Sequence, residues 1–337
     1  MAVSTQVGHG VKTCRLGPVG RALTLVFLLF VPIRAAAQDT YLLVITGVAG
    51  DDALSANYQK WAASIIDGSK KRGVAAANIT YLSELPEKDT ARAKAKSTKE
   101  AVAAAIADIA KRAKLNDEVF IILIGHGSFD GKTAAFNLPG PDLTAPDWGK
   151  LLDDLLPQRV IFVNTAASSG AFIDSVKGAN RVIVTATKTG GERNDPRFVQ
   201  YFVEALDSES ADRDRNGRVS VLEAFDYAKN KVEAAFLQEN HILTEHAVIE
   251  DLNQGKMAGA VFLSPERTRD AATTAAAAAD PALRALLEQQ DALEKQVAEL
   301  RLKKESMDPA LYDQQLEKLL TDLAVKTKEI RDRQNKK

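Results

Sequence analysis

Cysteine is almost absent from this chain of 337 residues, because its one cysteine, Cys14, lies close to the N-terminus. Residues 1–37 have the build of a secretory signal, and cleavage is predicted just before Gln38. The mature chain would then hold no thiol. That excludes a cysteine nucleophile and any disulfide within the chain. Its stability must therefore come from a packed core or from a bound ion.

The N-terminal segment also lacks the length of a membrane anchor. Basic residues precede an apolar run over residues 22–33, and three alanines at 35–37 supply the small residues of a cleavage site. A spanning helix needs about 20 apolar residues, and Pro32 interrupts this run. Cys14 precedes the run, so it does not fit a lipid-attachment cysteine. We expect an exported protein, periplasmic or secreted, with no stable membrane anchor after signal cleavage.

No excess of positive charge is present. The signal holds four basic residues and no acid, so the remaining 40 basic and 45 acidic side chains give the mature chain a net charge near −5. This balance argues against a nucleic-acid-binding surface.

Continuous apolar runs alternate with segments of helical periodicity. The apolar runs are typical of strands buried on both faces, and they occupy residues 41–46, 78–82, 118–124, 159–163 and 181–185. Helical spacing is found at 55–66 and at 97–115, where residues 97–100 resemble a capping box. The pattern predicts a three-layer α/β domain over residues 38–265, with a mostly parallel sheet.

The composition changes after this domain. An alanine- and threonine-rich linker is predicted at 266–280, followed at 281–337 by two heptad-like segments. Between them, Asp308 suits an N-cap and Pro309 the first helical position. We interpret 281–337 as an antiparallel coiled-coil hairpin. It either packs only against itself or the domain, or mediates self-association.

Residues 212–223 fit the twelve-residue calcium loop of an EF-hand. The predicted ligands are oxygen atoms of Asp212, Asp214, Asn216, Arg218, Ser220 and Glu223. At position 7 of the loop the ligand is the backbone carbonyl of Arg218, and at position 9 Ser220 acts through a water. Gly217 suits the sharp turn. The helix predicted to enter the loop, 195–206, stops several residues short of it. We expect Ca²⁺ binding of modest affinity, the alternative being an acidic surface turn. A second acidic stretch, 251–255, lacks an acid at position 12 and is interpreted as a loop.

Two strand ends carry the remaining chemical signal. The run 118–124 leads into Gly125-His126-Gly127-Ser128, and the run 159–163 leads into residues 164–170, NTAASSG. In an open parallel sheet, sites form beyond the carboxyl ends of neighbouring strands. We therefore expect His126 and residues 164–170 to lie at one site.

Over residues 40–240 the chain resembles the caspase and legumain clan of peptidases. Those enzymes have the dyad histidine in a His-Gly after one strand and the nucleophile after the next, in legumain as Ala-Cys-x-Ser-Gly. The matching residues here are His126-Gly127 and 166–170, AASSG. The resemblance implies a caspase-like fold, with His126 at the histidine position and Ala167 at the position of the lost nucleophile.

The departures from this pattern bear on activity. A thiolate is the nucleophile of the clan, and Ala167 cannot replace it. Legumain-type enzymes also bind an acidic side chain through an arginine after the first strand, but residues 48–52, VAGDD, are acidic instead. Ser168 is an alternative nucleophile, although a shift of one residue at a helix start turns a side chain by roughly 100°.

Three function classes remain open from the sequence. The first is a caspase/legumain-like pseudopeptidase that binds a peptide or protein. The second is a peptidase or other hydrolase that uses His126 with Ser168. The third is a structural protein that acts through its helical hairpin.

Overall fold

The computed structural model describes residues 38–115, 117–155, 158–214, 216, 218–252, 255–263, 280–302 and 307–334. The predicted signal peptide, most of the predicted linker and Gly217 of the calcium-type loop lie outside the described residues.

A seven-stranded sheet forms the centre of the molecule. In chain order its strands are β1 (Thr40–Thr46), β2 (Ile79–Ser83), β3 (Ala95–Lys96), β4 (Glu118–Ile124), β8 (Arg159–Asn164), β9 (Arg181–Thr185) and β10 (Val248–Glu250). Their spatial order is β10-β9-β8-β4-β1-β2-β3. Every pairing is parallel except that of β10 with β9. The predicted mostly parallel sheet is confirmed.

A second, small sheet follows β4. Its antiparallel strands are β5 (Gly127–Phe129), β6 (Ala134–Phe136) and β7 (Leu143–Thr144), in that spatial order. The first of them begins directly after His126.

Helices cover both faces of the main sheet. They are α1 (Asp52–Lys71), α2 (Lys99–Arg112), α3 (Ala145–Asp153), α4 (Ile173–Val176), α5 (Phe198–Asp207) and α6 (Val221–Gln238). Successive strand residues point to opposite faces, so Leu42 and Val44 pack with α1, α5 and α6, whereas Leu43 and Ile45 pack with α2, α3 and α4. Both faces of the sheet are buried, which is why the five long strands are mainly apolar. The three-layer α/β fold is confirmed.

The start of α2 differs from the predicted capping box. The N-cap is Thr98, whose hydroxyl accepts a hydrogen bond from the backbone N–H of Ala101. Ser97 is buried instead, and its hydroxyl donates to the carbonyl of Thr46 at 2.7 Å. The predicted capping pattern was therefore wrong by one residue, because Ser97 bonds to a strand distant in sequence.

Two long helices, α7 (Pro281–Leu302) and α8 (Pro309–Gln334), form the predicted C-terminal helical hairpin. They pack antiparallel, since Arg333 near the end of α8 pairs with Asp280 just before α7, at 2.7 Å. Leu283, Leu287 and Ile330 are buried between them. In the part of the chain that the structure describes, no helix combines the length and apolar character needed to cross a membrane.

Candidate functional site

The ends of β4 and β8 lie side by side, because the two strands pair in parallel up to Leu123 and Asn164. His126 is two residues beyond β4, and Ala167 is three residues beyond β8. Thr165 links the two ends, since both its N–H and its hydroxyl donate to the carbonyl of Leu123, at 3.1 and 2.7 Å. This connection brings the loop of residues 164–170 to the histidine.

Gly127 is the point of closest approach between the two loops. A Cβ atom at this position would overlap the carbonyl oxygen of Ala167 and lie 3.2 Å from the Cβ of Ala166. Glycine therefore allows the backbone after His126 to pack directly against the loop after β8. The residue after His126 therefore lies against the backbone of Ala167.

Both nitrogens of the His126 ring face acceptors. Nε2 lies 3.0 Å from the carbonyl oxygen of Ala49, and Nδ1 lies 2.8 Å from Oδ1 of Asp195. A neutral imidazole has one N–H, so the ring donates to both oxygens only when it carries a second proton. The edge of the ring packs on Tyr58, with ring centroids 6.1 Å apart. The histidine is held between α1, the loop after β1 and Asp195.

The hydroxyl groups beside the nucleophile position have other partners. Ser168 is fully buried and adopts a left-handed conformation with φ of 56°. Its hydroxyl donates to the carbonyl of Gly190 at 2.9 Å, and the hydroxyls of Ser169 and Thr187 lie 3.2 Å apart. Among the described residues, the Ser168–His126 dyad of the hydrolase alternative is not formed.

Residues 187–195, which we call the cover segment, lie across the loop after β8. The carbonyl of Glu192 accepts the N–H of Ser168 at 2.8 Å, and the guanidinium of Arg193 donates to the carbonyl of Phe129 at 3.2 Å. Gly190 packs on the Phe129 ring so closely that a Cβ would lie 2.7 Å from it. Ala167 beneath is only 2% exposed. The sequence analysis missed this segment, whose one visible signal is the Gly190-Gly191 pair.

Two acidic side chains bind the segments that contact His126 on its other side. Asp51 caps α1, where its carboxylate accepts the N–H of Leu54 at 2.8 Å, and the carboxylate of Glu84 accepts the N–H of Ala49 at 3.1 Å. Tyr58, on α1, is buried. Burial first, and then the negative charges of Asp195, Glu84 and Asp51, raise the pKa of Tyr58.

The calcium-type loop lies between α5 and α6, and three of its carboxylates converge. Oxygen atoms of Asp212, Asp214 and Glu223 lie within 4.8 Å of one another. In the present conformation Oε1 of Glu223 accepts the N–H groups of Arg213 and Asp214, at 3.1 and 3.3 Å. These hard oxygen donors fit Ca²⁺.

The remaining predicted calcium ligands also shape the loop. Ser220 is the N-cap of α6 and exchanges hydrogen bonds with Glu223 in a reciprocal capping box. The amide oxygen of Asn216 accepts the N–H of Arg218 at 2.8 Å. The Arg218 guanidinium stacks 3.9 Å above the Phe262 ring. The predicted entering helix begins later than expected, at Phe198.

The first residue of the second acidic stretch, Asp251, binds backbone N–H groups that follow it. The carboxylate of Asp251 accepts the N–H groups of Gly255, Met257 and Ala258, at 2.8, 2.8 and 3.1 Å.

Comparisons with known proteins give structural likeness alone. No protein-family model matches the sequence, and no curated protein matches it. Solved structures similar to this chain include caspases. Caspase-1 from Spodoptera frugiperda is 11% identical with a TM-score of 0.41, over 69% of this chain and 92% of that chain. The Drosophila initiator caspase Dronc is 10% identical with a TM-score of 0.40, over 63% and 79%. The structure of drICE is 12% identical with a TM-score of 0.37, over 65% and 94%.

The expected resemblance to caspases is confirmed, because caspases are among the solved structures that are similar to this chain. The TM-scores lie below 0.5, and the strand order and the helix layers of this chain themselves define its fold.

Proposed function

We propose that this protein is an exported, caspase-like pseudopeptidase that binds peptide segments without cleaving them as a cysteine peptidase. The observation that carries the proposal is Ala167, which is buried and whose backbone carbonyl packs against Gly127, the residue after His126. Covalent catalysis in this clan needs a thiolate at that position. A general base acting alone contributes about 10²–10⁴-fold, and both nitrogens of His126 already have acceptors.

Peptide binding is proposed at strand β5. It is an edge strand of the small sheet, and it starts directly after His126. An extended peptide can add to such an edge through backbone hydrogen bonds, which require no nucleophile. The cover segment lies beside this edge through Arg193 and Gly190, so a bound peptide must share the edge with it or displace it.

The contact between Asp195 and His126 joins the end of the cover segment to the histidine, and the Asp195 side chain is 61% exposed. Breaking it should make position 167 more accessible. In an Ala167→Cys protein, which has a single thiol after signal cleavage, we expect Asp195→Asn to accelerate alkylation. Asp174→Asn, which removes a surface partner of Lys177, is the matched control. Equal alkylation rates in the two variants would contradict the assigned role of Asp195.

The same Ala167→Cys protein tests peptide binding. A peptide that occupies the cleft should slow alkylation of the thiol in proportion to its occupancy. Alkylation that no peptide slows, together with no binding signal in calorimetry, would remove the peptide-binding proposal.

Calcium binding at residues 212–223 is part of the proposal. The convergence of three carboxylates and the oxygen-rich pattern of the loop support it. Export is proposed from the signal-like residues 1–37 alone.

A structural role for the hairpin is the second candidate. Leu311 and Val325 of α8 are 46% and 49% exposed, so these apolar side chains are not covered by α7 or by the α/β domain. Association through this face would be reduced by Leu311→Glu and Val325→Glu in the full chain, as measured by light scattering. A molar mass that does not change would leave the hairpin without a role in association.

A further inference from the structure

Two histidines contact the cover segment from outside it, one on each side. Nδ1 of His126 lies 2.8 Å from Oδ1 of Asp195, the last residue of the segment. On the other side, Nδ1 of His246 lies 3.3 Å from Oε1 of Glu192, whose Oε2 accepts the N–H of His246 at 2.9 Å. Two contacts between an imidazole and a carboxylate therefore help to attach the segment.

The geometry at His126 is that of a doubly protonated ring. Nε2 lies 3.0 Å from the carbonyl oxygen of Ala49, and Nδ1 faces the Asp195 carboxylate. A carbonyl and an ionised carboxylate only accept hydrogen bonds, and a neutral imidazole has one N–H. Loss of the second proton therefore leaves a nitrogen lone pair facing an oxygen, either at Ala49 or at Asp195.

The other ionisable groups on this side belong to α1 and to the segments that bind it. The Tyr58 ring packs on the His126 ring, and burial together with the charges of Asp195, Glu84 and Asp51 raises the pKa of its hydroxyl, which therefore stays neutral near pH 7. The carboxylates of Glu84 and Asp51 accept the backbone N–H groups of Ala49 and Leu54.

On the opposite side, Glu245 acts in the same direction as the histidine that follows it. Its carboxyl group accepts the N–H groups of Arg197 and Phe198, just after the cover segment. Burial raises the pKa of Glu245 to about 7, and the charge of Glu192 adds to the rise. A rise in pH through this range therefore adds negative charge near Glu192, while deprotonation of His246 removes its positive partner.

Other charged groups on this side have different contacts. The Arg197 guanidinium binds the Glu239 carboxylate through two hydrogen bonds, at 2.7 and 2.8 Å, and Glu239 also lies 3.1 Å from Nδ1 of His241. Lys188 meets Glu192 through its backbone N–H, at 3.2 Å, and the Arg193 guanidinium donates to a backbone carbonyl. His241 thus pairs with a residue outside the cover segment and provides a control.

We infer that the cover segment is a pH-dependent gate over the loop after β8, fastened when His126 and His246 are protonated and loosened when both are neutral. Histidine side chains ordinarily change charge between about pH 5 and pH 8, so the gate should respond in this range. An imidazolium attracts the carboxylate that it contacts, which favours the closed state at the acid end. Opening exposes the loop that holds Ala167. The inference concerns the attachment of the segment alone and does not depend on peptide binding.

Hydrogen exchange of the mature protein, followed by mass spectrometry, measures this opening. Protection factors, corrected for the intrinsic exchange rate at each pH, are compared at pH 5.5 and pH 8.0 for peptides that cover residues 187–195. The buried strand β4 serves as the measure of global unfolding. We expect the protection of the cover segment to fall by about three- to tenfold from pH 5.5 to pH 8.0 and to lie well below that of β4 at both values.

Variants assign the response to the two contacts. Glu192→Gln keeps an acceptor for the N–H groups of His246 and Lys188 but removes the charge, and Asp195→Asn removes the charge at His126. Each should lower the protection of the cover segment at pH 5.5 by about two- to fivefold and reduce the change between the two pH values. His241→Gln removes the histidine that pairs with Glu239 and should keep the full response.

Three results would overturn the inference. The first is equal protection of the cover segment at pH 5.5 and pH 8.0. The second is protection that matches that of β4 at both values, since the segment would then open only with the whole domain. The third is an undiminished response in the protein that carries both Glu192→Gln and Asp195→Asn. If that protein does not fold, His126→Gln combined with His246→Gln replaces both imidazoles by neutral amides, and an undiminished response there would equally refute the gate.

Discussion

The pH dependence of stability should be dominated, between pH 5 and pH 8, by one buried carboxyl group, Glu245. Its two oxygens accept the N–H groups of Arg197 and Phe198, at 2.7 and 3.0 Å, and so cap the start of α5. Burial raises the pKa of Glu245 to about 7, more than these hydrogen bonds lower it, and the charge of Glu192 adds to the rise.

The sign of the effect follows from proton linkage. Between the unfolded value near 4.5 and the folded value near 7, the folded protein holds a proton that the unfolded chain has lost. The stability contributed by this proton is complete below pH 4.5 and is lost as the pH rises through 7. From pH 5 to pH 8 the loss amounts to about 2.5 kcal/mol, at 1.36 kcal/mol for each unit of pKa difference.

Urea unfolding followed by tryptophan fluorescence, in the presence of a calcium chelator, measures this change. Glu245→Gln should remove the slope, so the stability of the unmodified protein minus that of the variant should fall by about 2.5 kcal/mol from pH 5 to pH 8. The His126–Asp195 and His246–Glu192 contacts are present in both proteins, so the difference isolates residue 245. Parallel curves for the two proteins across this range would refute the reasoning.

Further predictions concern the calcium loop, the close approach of the two site loops, the hairpin and export. At ten times its Kd, Ca²⁺ should stabilise the protein by roughly 1.4 kcal/mol in thermal melts, because it binds only the folded state. Glu223→Gln should remove most of that gain, whereas the control Glu233→Gln, on the exposed face of α6, should keep it. Identical melting curves with a chelator and with millimolar Ca²⁺ would count against the site. Gly127→Ala should cost about 1–3 kcal/mol in urea unfolding, since the new methyl overlaps a backbone oxygen, and an unchanged midpoint would contradict that packing. Deleting residues 280–337 should leave a cooperatively melting α/β domain, and loss of that transition would make the hairpin part of the core. Mass spectrometry of the exported protein should find its N-terminus near Gln38, whereas an intact Met1 in the cytosol would end the export prediction.

The long buried strands could be predicted because burial on both faces produces a nearly continuous apolar run in the sequence. Residues 118–124 and 181–185 were predicted with the observed bounds, since strands covered on both faces are mainly apolar along their length. The short strands β3, β5, β6, β7 and β10 could not be predicted. Each has two or three residues, so its conformation depends on a partner strand rather than on its own pattern.

The site was predictable only in outline. Parallel strand ends bring His126 near residues 164–170, which follows from topology. The contact of Asp195 with His126 and the course of the cover segment depend on tertiary packing between segments some 70 residues apart, which leaves no periodic signal. Likewise, the local sequence predicts Ser97 as an N-cap, but in the folded chain its hydroxyl donates a hydrogen bond to the carbonyl of Thr46.

The central claim, that position 167 has lost the nucleophile of a peptidase site, is tested most directly by a cleavage assay on the unmodified mature protein. The assay uses fluorogenic peptides ending in arginine, lysine, aspartate or asparagine. We expect no turnover above the rate of the His126→Ala variant, because Ala167 offers no group for covalent attack. Robust cleavage by the unmodified protein that His126→Ala or Ser168→Ala abolishes would contradict the account.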